Sequence, residues 1–266
     1  MNQYIIKNTP RITAIHSLFT YTYPADYKFH GESHNFYEVI IILSGSATVA
    51  ADSNVFTLKS GQAFIHTPMQ FHNVYSTGKE KLSVAVFSFS AKNMPKLHNK
   101  ICVVNNLTAV YELFNKANDS FIFNDIWVTG SKNDTVPYAL IKEFELLILE
   151  LNSNILEKHN TNSTGEKNYG LIVKTLEEHI CEPLMVKDVA FLCNMSEIGL
   201  QKTFSRFAGV GVMEYFNNIK IRKAIEHLKE GLSVKETAIA LGFSDPNYFS
   251  TVFKRITGNP PSFYKK

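Results

Sequence analysis

The C-terminal part of the chain contains the same pattern twice, and this repeat limits the possible folds more than any other feature of the sequence. Ala190 and Ala238 are 48 residues apart, whereas Leu200 and Phe249 are 49 apart because the second copy has one extra residue after its serine. A nearly constant period indicates one structural unit that is used twice. After about residue 168 the apolar residues have the spacing of helices.

Each copy has the residues expected of two helices joined by a tight turn. Asn194 and Gly242 tolerate the left-handed backbone with which the first helix ends. We expect Ser196 and Ser244 to cap the second helix with their hydroxyl groups. The second helix then has one apolar stripe, formed by Leu200 and Phe204 in the first copy and by Phe249 and Phe253 in the second. The pattern predicts two helix-turn-helix units, whose second helices enter the major groove of DNA.

The second copy also contains a specific motif, which reads Ala238-x3-Gly242-Phe243-Ser244-Asp245-x2-Tyr248-Phe249-x3-Phe253-Lys254-x3-Gly258-x2-Pro261-x2-Tyr264. This motif resembles the signature of the AraC/XylS bacterial transcription regulators, and the resemblance covers roughly residues 170–266. Two positions depart from the family pattern. Lys220 stands where arginine is usual, and Thr251 stands where many members have a basic residue. The second unit is therefore expected to read bases weakly and to act more as a clamp on the DNA backbone.

The resemblance implies double-stranded DNA and RNA polymerase as partners, and it places the exposed face of each second helix in a DNA groove. The residues predicted to contact bases are Ile198, Gln201, Lys202, Asn247, Ser250 and Thr251. The residues predicted to contact phosphates are Ser196, Ser205, Arg206, Ser244 and Lys254. Amide and cationic side chains recognise base edges, and hydroxyl and basic groups also bind phosphate oxygens. The alternative is that these residues form an ordinary solvated helix face.

The N-terminal part is predicted to form short strands up to about residue 90. Residues 36–43 are β-branched and aromatic, segments 48–51 and 55–58 flank a polar turn, and residues 82–89 alternate between two faces. Such strands at close spacing predict a sandwich or a barrel. From about residue 106 the period becomes helical. A long amphipathic run at 136–158 is predicted either to cover the barrel or to pair with its copy in a homodimer.

The polar run at 159–168 has no apolar anchor and is predicted to be a flexible linker between a domain at 1–158 and a domain at 169–266. The predicted fold is α+β, with an N-terminal cupin-like β-barrel flanked by helices and a C-terminal all-α double helix-turn-helix domain. Residues 1–167 contain 14 Lys and Arg and 14 Asp and Glu, whereas residues 168–266 contain 13 and 10. The net charge of +3 therefore lies in the C-terminal part, which is consistent with an anionic partner.

The resemblance implies that the cupin-like domain senses a small molecule. The positions that bind metal in cupin enzymes correspond here to Glu32, His34, Glu38 and His72, and such groups suit iron, manganese, nickel or zinc. Glu32 replaces the first histidine of that pattern, so the favoured interpretation is that His34 and His72 form hydrogen bonds without any metal or other cofactor. The opening of the ligand pocket is predicted to include Lys28, His34, Tyr37, Glu38 and His72.

Other features exclude several classes of protein. The apolar stretch at 39–43 is too short to cross a bilayer, and the first residues lack the pattern of a secretory signal. Cys102, Cys181 and Cys193 form no close pair, and the last two are predicted to be buried thiols, which fits a cytoplasmic protein. A Ser/His/Asp constellation, a phosphate-binding glycine loop and a CxxC pair are all missing, so the chain is not expected to be an enzyme.

Together these patterns predict a sequence-specific DNA-binding regulator, with activation favoured, that a small molecule of unknown identity controls. One alternative is a ligand-independent repressor or silencing antagonist whose barrel serves only for dimerisation. A more remote alternative is a metal-dependent cupin enzyme with a DNA-binding tail.

Overall fold

The structure is a computed structural model that describes residues 9–132, 138–156 and 163–265. Its N-terminal part is rich in strands, and its C-terminal part is helical. The strands are β1 (Arg11–Tyr23), β2 (Tyr37–Ser44), β3 (Ser46–Ala51), β4 (Asn54–Lys59), β5 (Gln62–His66), β6 (His72–Ser76), β7 (Leu82–Lys92), β8 (Ile101–Val103), β9 (Phe121–Asn124) and β10 (Trp127–Ser131). The helices are α1 (Leu107–Ser120), α2 (Tyr138–Ser153), α3 (Thr164–Glu178), α4 (Val186–Leu192), α5 (Glu197–Ala208), α6 (Val212–Lys229), α7 (Val234–Ala240) and α8 (Pro246–Thr257), followed by a 3-10 helix at Pro261–Tyr264.

The strands form two sheets that pack face to face. A seven-stranded sheet has the order β8-β5-β2-β7-β1-β10-β9, and a three-stranded sheet has the order β4-β3-β6. Central strand β7 shows why they stack. Leu82, Val84 and Val86 point into the core between the sheets, whereas Phe87 and Phe89 point into a second core on the opposite face. The alternation predicted for residues 82–89 is confirmed, and the N-terminal part has the sheet-rich, cupin-like architecture that was expected.

Strand β1 was missing from the sequence-based prediction. It pairs with β7 from Arg11↔Lys92 to Tyr23↔Leu82, but its register shifts twice, between Ile12 and Ala14 and between Ile15 and Ser17. Each shift disturbs the two-residue alternation that identifies a strand in a sequence. The hairpin β9–β10 was also missed, because it interrupts a region whose overall period is helical.

Helix α2 covers the N-terminal core with one face. Leu140, Phe144, Ile148 and Leu151 are buried against the seven-stranded sheet and helix α1. Inward-facing Glu145 accepts a hydrogen bond from the backbone N–H of Ile12, 2.9 Å away, which joins α2 to strand β1. Of the two roles predicted for the run at 136–158, covering the sheet is the one seen here. The described helix is shorter than that run and ends at Ser153.

The helical C-terminal part begins inside the predicted linker. Ser163 accepts a hydrogen bond from the N–H of Glu166, and the Glu166 carboxylate accepts one from the N–H of Ser163, so the pair forms a capping box at the start of α3. Residues 163–168 are therefore a helix start rather than linker, and their polar character reflects capping. The remaining predicted linker residues, 159–162, lie outside the described residues.

The two parts share a hydrophobic core. Ala50, Val55 and Phe71 of the strand-rich part are buried together with residues of α3, α5 and α6, including Tyr169 and Phe204. Cys193 is buried in the same cluster, as predicted, and Cys102 is buried in the N-terminal core. Cys181 is exposed, contrary to prediction, because it lies in the turn after α3 and not on an apolar helix face.

Candidate nucleic-acid interface and effector pocket

Two helix-turn-helix units are present, one formed by α4 and α5 and the other by α7 and α8. Asn194 and Gly242 have φ angles of 52° and 69°, so both residues adopt the left-handed turn conformation that the sequence predicted. At Gly242 a side chain is also excluded by space, because an added Cβ would collide with the carbonyl oxygen of Cys181. The repeat in the sequence thus corresponds to the same local geometry twice.

The two reading helices are capped by different residue types. In the first unit Ser196 accepts a hydrogen bond from the N–H of Gly199 at 3.2 Å, as predicted. In the second unit the cap is Asp245, which accepts from the N–H of Asn247 at 2.8 Å. The predicted cap Ser244 lies one residue before it and does not fill this role. The cause is the extra residue in the second copy, which moves the start of the helix by one position.

The first reading helix, α5, has a buried stripe and an exposed polar face. Leu200, Phe204 and Phe207 are buried as predicted. The residues predicted to contact DNA all lie on the surface of α5 or at its start: Ser196, Ile198, Gln201, Lys202, Ser205 and Arg206. Ile198 is 79% exposed, which leaves an apolar side chain free for a thymine methyl group. The face offers one apolar, one amide and two cationic groups for readout and phosphate binding.

The second reading helix, α8, has fewer free donors. Ser250 donates its hydroxyl proton to the carbonyl of Pro246, and Thr251 donates to that of Asn247. Both hydroxyls are therefore left mainly as acceptors, while Asn247 and Lys254 are exposed. Sequence reasoning overlooked Arg255, which is exposed four residues after Thr251 and therefore lies on the same helix face. That spacing was the signal that could have found it.

Helix α6 connects the units, and its Lys220 fixes their arrangement. The chain has 18 residues in this helix, which corresponds to a length of about 27 Å. Buried Lys220 donates hydrogen bonds to the carbonyl of Glu182, 2.8 Å away, and to that of Leu241, 2.7 Å away. Burial lowers the pKa of this ammonium group to about 8. The lysine that departs from the family pattern thus ties the turn after α3 to the end of α7.

A cavity of about 140 Å³ lies between the two sheets. One part of its wall is aromatic and includes Phe19, Tyr23, Tyr27, Phe36 and Trp127. The other part is polar and consists of Ser17 and a cluster of two histidines and two glutamates, namely Glu32, His34, Glu38 and His72. An apolar pocket with a few converging polar groups is the usual form of a small-molecule site.

The five predicted pocket residues divide into two groups. His34, Glu38 and His72 line the cavity, but Lys28 and Tyr37 do not. Tyr37 packs instead against Phe89 in the core on the other face of the sheet, with 5.7 Å between ring centroids. Lys28 forms a backbone bridge with Tyr75. Side-chain direction at the first residue of β2 was not readable from the sequence, because that strand is buried on both faces.

The acidic and imidazole groups of the cluster lie close together. Nε2 of His72 is 3.5 Å from one carboxylate oxygen of Glu38 and 3.8 Å from one of Glu32, and Nε2 of His34 is 3.7 Å from the other Glu38 oxygen. Burial alone would raise the pKa of Glu38, but the two histidines hold it well below its usual value. Burial opposes a charge on His72, yet the Glu38 carboxylate outweighs burial and raises the pKa of His72. For Glu32, burial raises the pKa.

A short segment between the pocket and the first helix-turn-helix unit contacts both. Glu32 forms a backbone pair with His72, with hydrogen bonds of 2.8 and 2.9 Å. The neighbouring Gly31 lies so close to Ala208, at the end of α5, that a Cβ on Gly31 would collide with the Ala208 carbonyl. A Cβ on Gly209 would lie 2.7 Å from the carbonyl oxygen of Phe29. Residues 29–32 therefore join the polar end of the cavity to the end of the first reading helix.

Other contacts strengthen this junction. Arg222 of α6 donates to Asp52 in the β3–β4 turn at 2.9 Å and to the carbonyl of Met69 at 3.1 Å. Asn73 of β6 donates to the carbonyl of Phe207 at 2.8 Å. The position of the first unit is thus specified by polar contacts as well as by the shared core.

None of the helices in the described ranges combines the length and the apolar character that crossing a membrane requires. Comparison with known proteins gives two family matches. The AraC-like ligand binding domain matches residues 16–105, and a helix-turn-helix domain matches residues 189–266. The first match contains the cavity and its polar cluster, and the second contains both reading helices.

The chain is also similar to individual proteins. The chain is 26% identical to the transcriptional activator RhaS of Escherichia coli over 87% of this chain and 84% of that protein. It is 26% identical to the bifunctional transcriptional activator and DNA repair enzyme AdaA of Bacillus subtilis, but over only 36% of this chain and 46% of that protein. The crystal structure of ToxT from Vibrio cholerae is 19% identical and aligns over 96% of this chain and 95% of that one, with a TM-score of 0.39. With a ligand-binding domain and a double helix-turn-helix domain in this order, the chain belongs to the AraC/XylS family of transcription regulators.

Proposed function

We propose that the chain binds a specific DNA sequence through α5 and α8 and that it regulates transcription from that site. The observation on which this proposal rests is the doubled helix-turn-helix geometry with an exposed polar face on each reading helix. In this proposal Ile198, Gln201 and Lys202 read bases, and Arg206 binds phosphate. Successive major grooves on one side of DNA are about 34 Å apart, so a single chain with both units covers an asymmetric site.

The second unit is proposed to contribute more to affinity than to sequence choice. Ser250 and Thr251 already donate to their own helix, so few side-chain donors remain for base edges. Asn247 is the candidate base contact, and Lys254 and Arg255 are the candidate phosphate contacts. Ser244 is exposed just before the helix and is kept as a phosphate contact.

The N-terminal cavity is proposed to bind the small molecule that controls DNA binding. Its aromatic wall suits a flat or apolar group, and its polar end suits a hydrogen-bonding group. The volume of about 140 Å³ favours a ligand of few atoms, or a larger one that moves the β9–β10 turn at Trp127. The segment 29–32 is the proposed route from this cavity to α5. The chain is proposed to act without an enzymatic step and in the cytoplasm.

Activation is the proposed direction of regulation, with a contact to RNA polymerase that follows DNA binding. The support is that RhaS and AdaA, the two relatives described above, are both named transcriptional activators. A ligand-independent repressor would bind the same DNA with equal affinity whether or not small molecules from a cell extract are present. In a reconstituted transcription assay, it would lower transcription.

A homodimer through the outer face of α2 is a separate proposal. The inner face of α2 is covered, but Leu146 is 54% exposed and Tyr138 is 71% exposed on the described residues of that helix. Large exposed apolar residues on one helix suit pairing with a second copy. Leu146→Glu is expected to shift sedimentation from dimer to monomer, and a chain that is monomeric before the substitution would exclude this interface.

The experiment that tests the proposed function is selection of bound sites from random DNA by the full chain. We expect an enriched site with two motifs whose centres are about one helical turn apart. Lys202→Ala should change the preferred bases in one motif, whereas Lys174→Ala, an exposed lysine of α3 outside both units, should leave the selected site unchanged. If only one motif is recovered, α8 contacts the DNA backbone but does not read bases. Absence of any enrichment would contradict the proposed function.

A further inference from the structure

The cluster at the polar end of the cavity has an unusual hydrogen-bond arrangement. Nδ1 of His34 lies 3.1 Å from the carbonyl oxygen of Phe36, and Nδ1 of His72 lies 3.1 Å from that of Gln70. A carbonyl oxygen can only accept, so each Nδ1 must carry a proton and donate it. In a neutral imidazole the other nitrogen, Nε2, then has a lone pair, and both Nε2 atoms point at the glutamates.

These two Nε2 atoms are buried and have no hydrogen-bond partner among the described residues. His72 as a whole is 1% exposed. The nearest groups are carboxylate oxygens of Glu38 and Glu32 at 3.5 to 3.8 Å, which are acceptors too. Lone pairs that face carboxylates in a buried space repel one another, so the arrangement becomes favourable when a proton or a metal ion lies between them, and a metal ion satisfies both imidazoles and both carboxylates at once.

We propose that Glu32, His34, Glu38 and His72 bind a divalent transition-metal ion, and that this ion fixes the segment 29–32 against the end of the first reading helix. The proposal assigns the polar end of the cavity a cofactor, although the sequence alone favoured hydrogen-bonding histidines there. The part that concerns DNA rests on the function proposed above, but metal binding itself does not.

The distances suit this assignment. One possible ligand atom from each of the four side chains lies within 4.8 Å of the others. Two ligand atoms that are each about 2.1 Å from a tetrahedral zinc ion are about 3.4 Å apart. The three separations of 3.5 to 3.8 Å therefore need to shorten by about 0.1 to 0.4 Å, and pairs as wide as 4.8 Å by about 1.4 Å, so metal binding draws the side chains together.

The ligands are also held in place by their neighbours. The two backbone carbonyls orient the imidazoles, and Ser88 donates to Glu38 at 2.8 Å while itself accepting from Ser17 at 2.8 Å. Such outer contacts are typical of metal sites because they fix the tautomer and the orientation of each ligand. Two imidazoles with two carboxylates suit zinc, iron, manganese or nickel, and the absence of sulfur ligands disfavours copper(I).

Glu32 is the ligand whose position metal binding is expected to change most. Its side chain is 48% exposed, whereas those of His34, Glu38 and His72 are 16% exposed or less. A metal ion would draw this half-exposed carboxylate towards the three buried ligands. Because Gly31 packs directly against Ala208, the position of Glu32 determines how closely the segment approaches α5.

The first test measures metal binding with the untagged full chain, stripped by a chelator and titrated with Zn²⁺ and separately with Co²⁺. We expect one ion per chain and the visible absorption bands of Co²⁺ bound by nitrogen and oxygen. Glu32→Gln, a half-exposed residue whose replacement is not expected to disturb folding, should weaken binding at least tenfold. His34→Ala should weaken it further. The matched controls Glu80→Gln, on an exposed loop, and His179→Ala, in the helical part, should bind as the parent chain does. Equal affinity in parent, Glu32→Gln and His34→Ala would overturn the proposal.

The second test measures the affinity of the metal-free and Zn²⁺-loaded full chain for its selected DNA site. We expect the two forms to differ by at least fivefold, and we expect Glu32→Gln to abolish this difference while it retains the affinity of the metal-free form. Stoichiometric metal binding with identical DNA affinity would overturn the coupling. If neither form selects DNA while the metal still binds, the proposed function fails and the metal site does not.

Discussion

The two helix-turn-helix units have the same local geometry but different support. The first unit packs against the strand-rich part, and its core includes Phe71 and Val55 from that part. The second unit has a core of its own, formed by residues of α6, α7 and α8, to which the strand-rich part contributes Met69 at the edge. The repeat in the sequence therefore specifies the same local structure twice, whereas the tertiary contacts of the two units differ.

This difference assigns separate roles to the two units. Changes in the strand-rich part reach α5 directly, through Gly31 and Asn73. They reach the second unit through α6 and through Met69 at the edge of its core. We therefore expect control by the N-terminal cavity to act mainly on the first unit, while the second unit provides steady affinity for DNA.

The largest effect is expected from Arg222→Ala, which removes the ion pair that joins the two parts at Asp52. The substitution leaves Asp52 without its cation and the Met69 carbonyl without this donor. The pair is mostly buried, with 26% and 17% of the two side chains exposed, so we expect a loss of about 3 kcal/mol in the free energy of unfolding. Urea denaturation of the full chain measures it.

The matched control for this substitution is the next residue. Lys223 forms an exposed ion pair with Glu226, and Lys223→Ala should cost about 0.5 kcal/mol at most. A double-mutant cycle with Asp52→Asn isolates the Arg222–Asp52 interaction, since asparagine tolerates the φ of 47° at that position. Equal losses for Arg222→Ala and Lys223→Ala would show that the two parts are not joined there.

The pH dependence of stability tests how Lys220 stabilises the helical part. Its pKa is about 8 in the folded chain, below the ordinary value of 10.5. Between these values the unfolded chain holds a proton that the folded chain has released, so stability rises with pH. Relative to Lys220→Met, which has no ionisable group there, the parent chain should gain about 2 kcal/mol between pH 7 and pH 9.5. A difference between the two chains that does not change with pH would contradict the lowered pKa.

The third prediction separates the DNA contacts of the two units. Lys202→Ala in α5 should lose about 1–2 kcal/mol of discrimination at one or two base pairs. Lys254→Ala in α8 should weaken binding to all sequences alike and should lower the slope of log K against log salt by about one. Binding to a set of single-base variants of the selected site, at several salt concentrations, distinguishes the two results. The unequal roles would be refuted by a base-specific loss for Lys254→Ala and a uniform loss for Lys202→Ala.

How much of the structure could be predicted from the sequence depends on how far apart in the chain the residues that form each contact lie. The turns at Asn194 and Gly242 follow from a few neighbouring residues, so the sequence sufficed for them. The bond between Arg222 and Asp52 joins residues 170 positions apart, and no local pattern indicates it. The hydrophobic core that the two parts share was missed for the same reason.

The polar cluster around His34 and His72 could be predicted in part. The spacing of Glu32, His34 and Glu38 was recognisable in the sequence, and His72 was correctly grouped with them. What the sequence lacked was the direction of the imidazole nitrogens, which depends on the backbone carbonyls of Phe36 and Gln70. That detail turns an interpretation of the histidines as hydrogen-bonding groups into an argument for a cation.

The smallest predicted effects distinguish the caps of the two reading helices. Asp245→Ala should destabilise the chain by about 1 kcal/mol, because the N–H of Asn247 loses its acceptor, and Ser196→Ala should cost a similar amount in the first unit. Ser244→Ala should change stability by less than about 0.5 kcal/mol, since Ser244 is exposed and is not the cap. Thermal unfolding of the three variants compares them under one condition. A loss for Ser244→Ala that equals the loss for Asp245→Ala would mean that α8 begins one residue earlier, and the two units would then be capped by serine in the same way. The expected inequality instead places the extra residue of the second copy before its reading helix, so that Asn247 and Thr251 stand as far from the cap Asp245 as Ile198 and Lys202 stand from the cap Ser196.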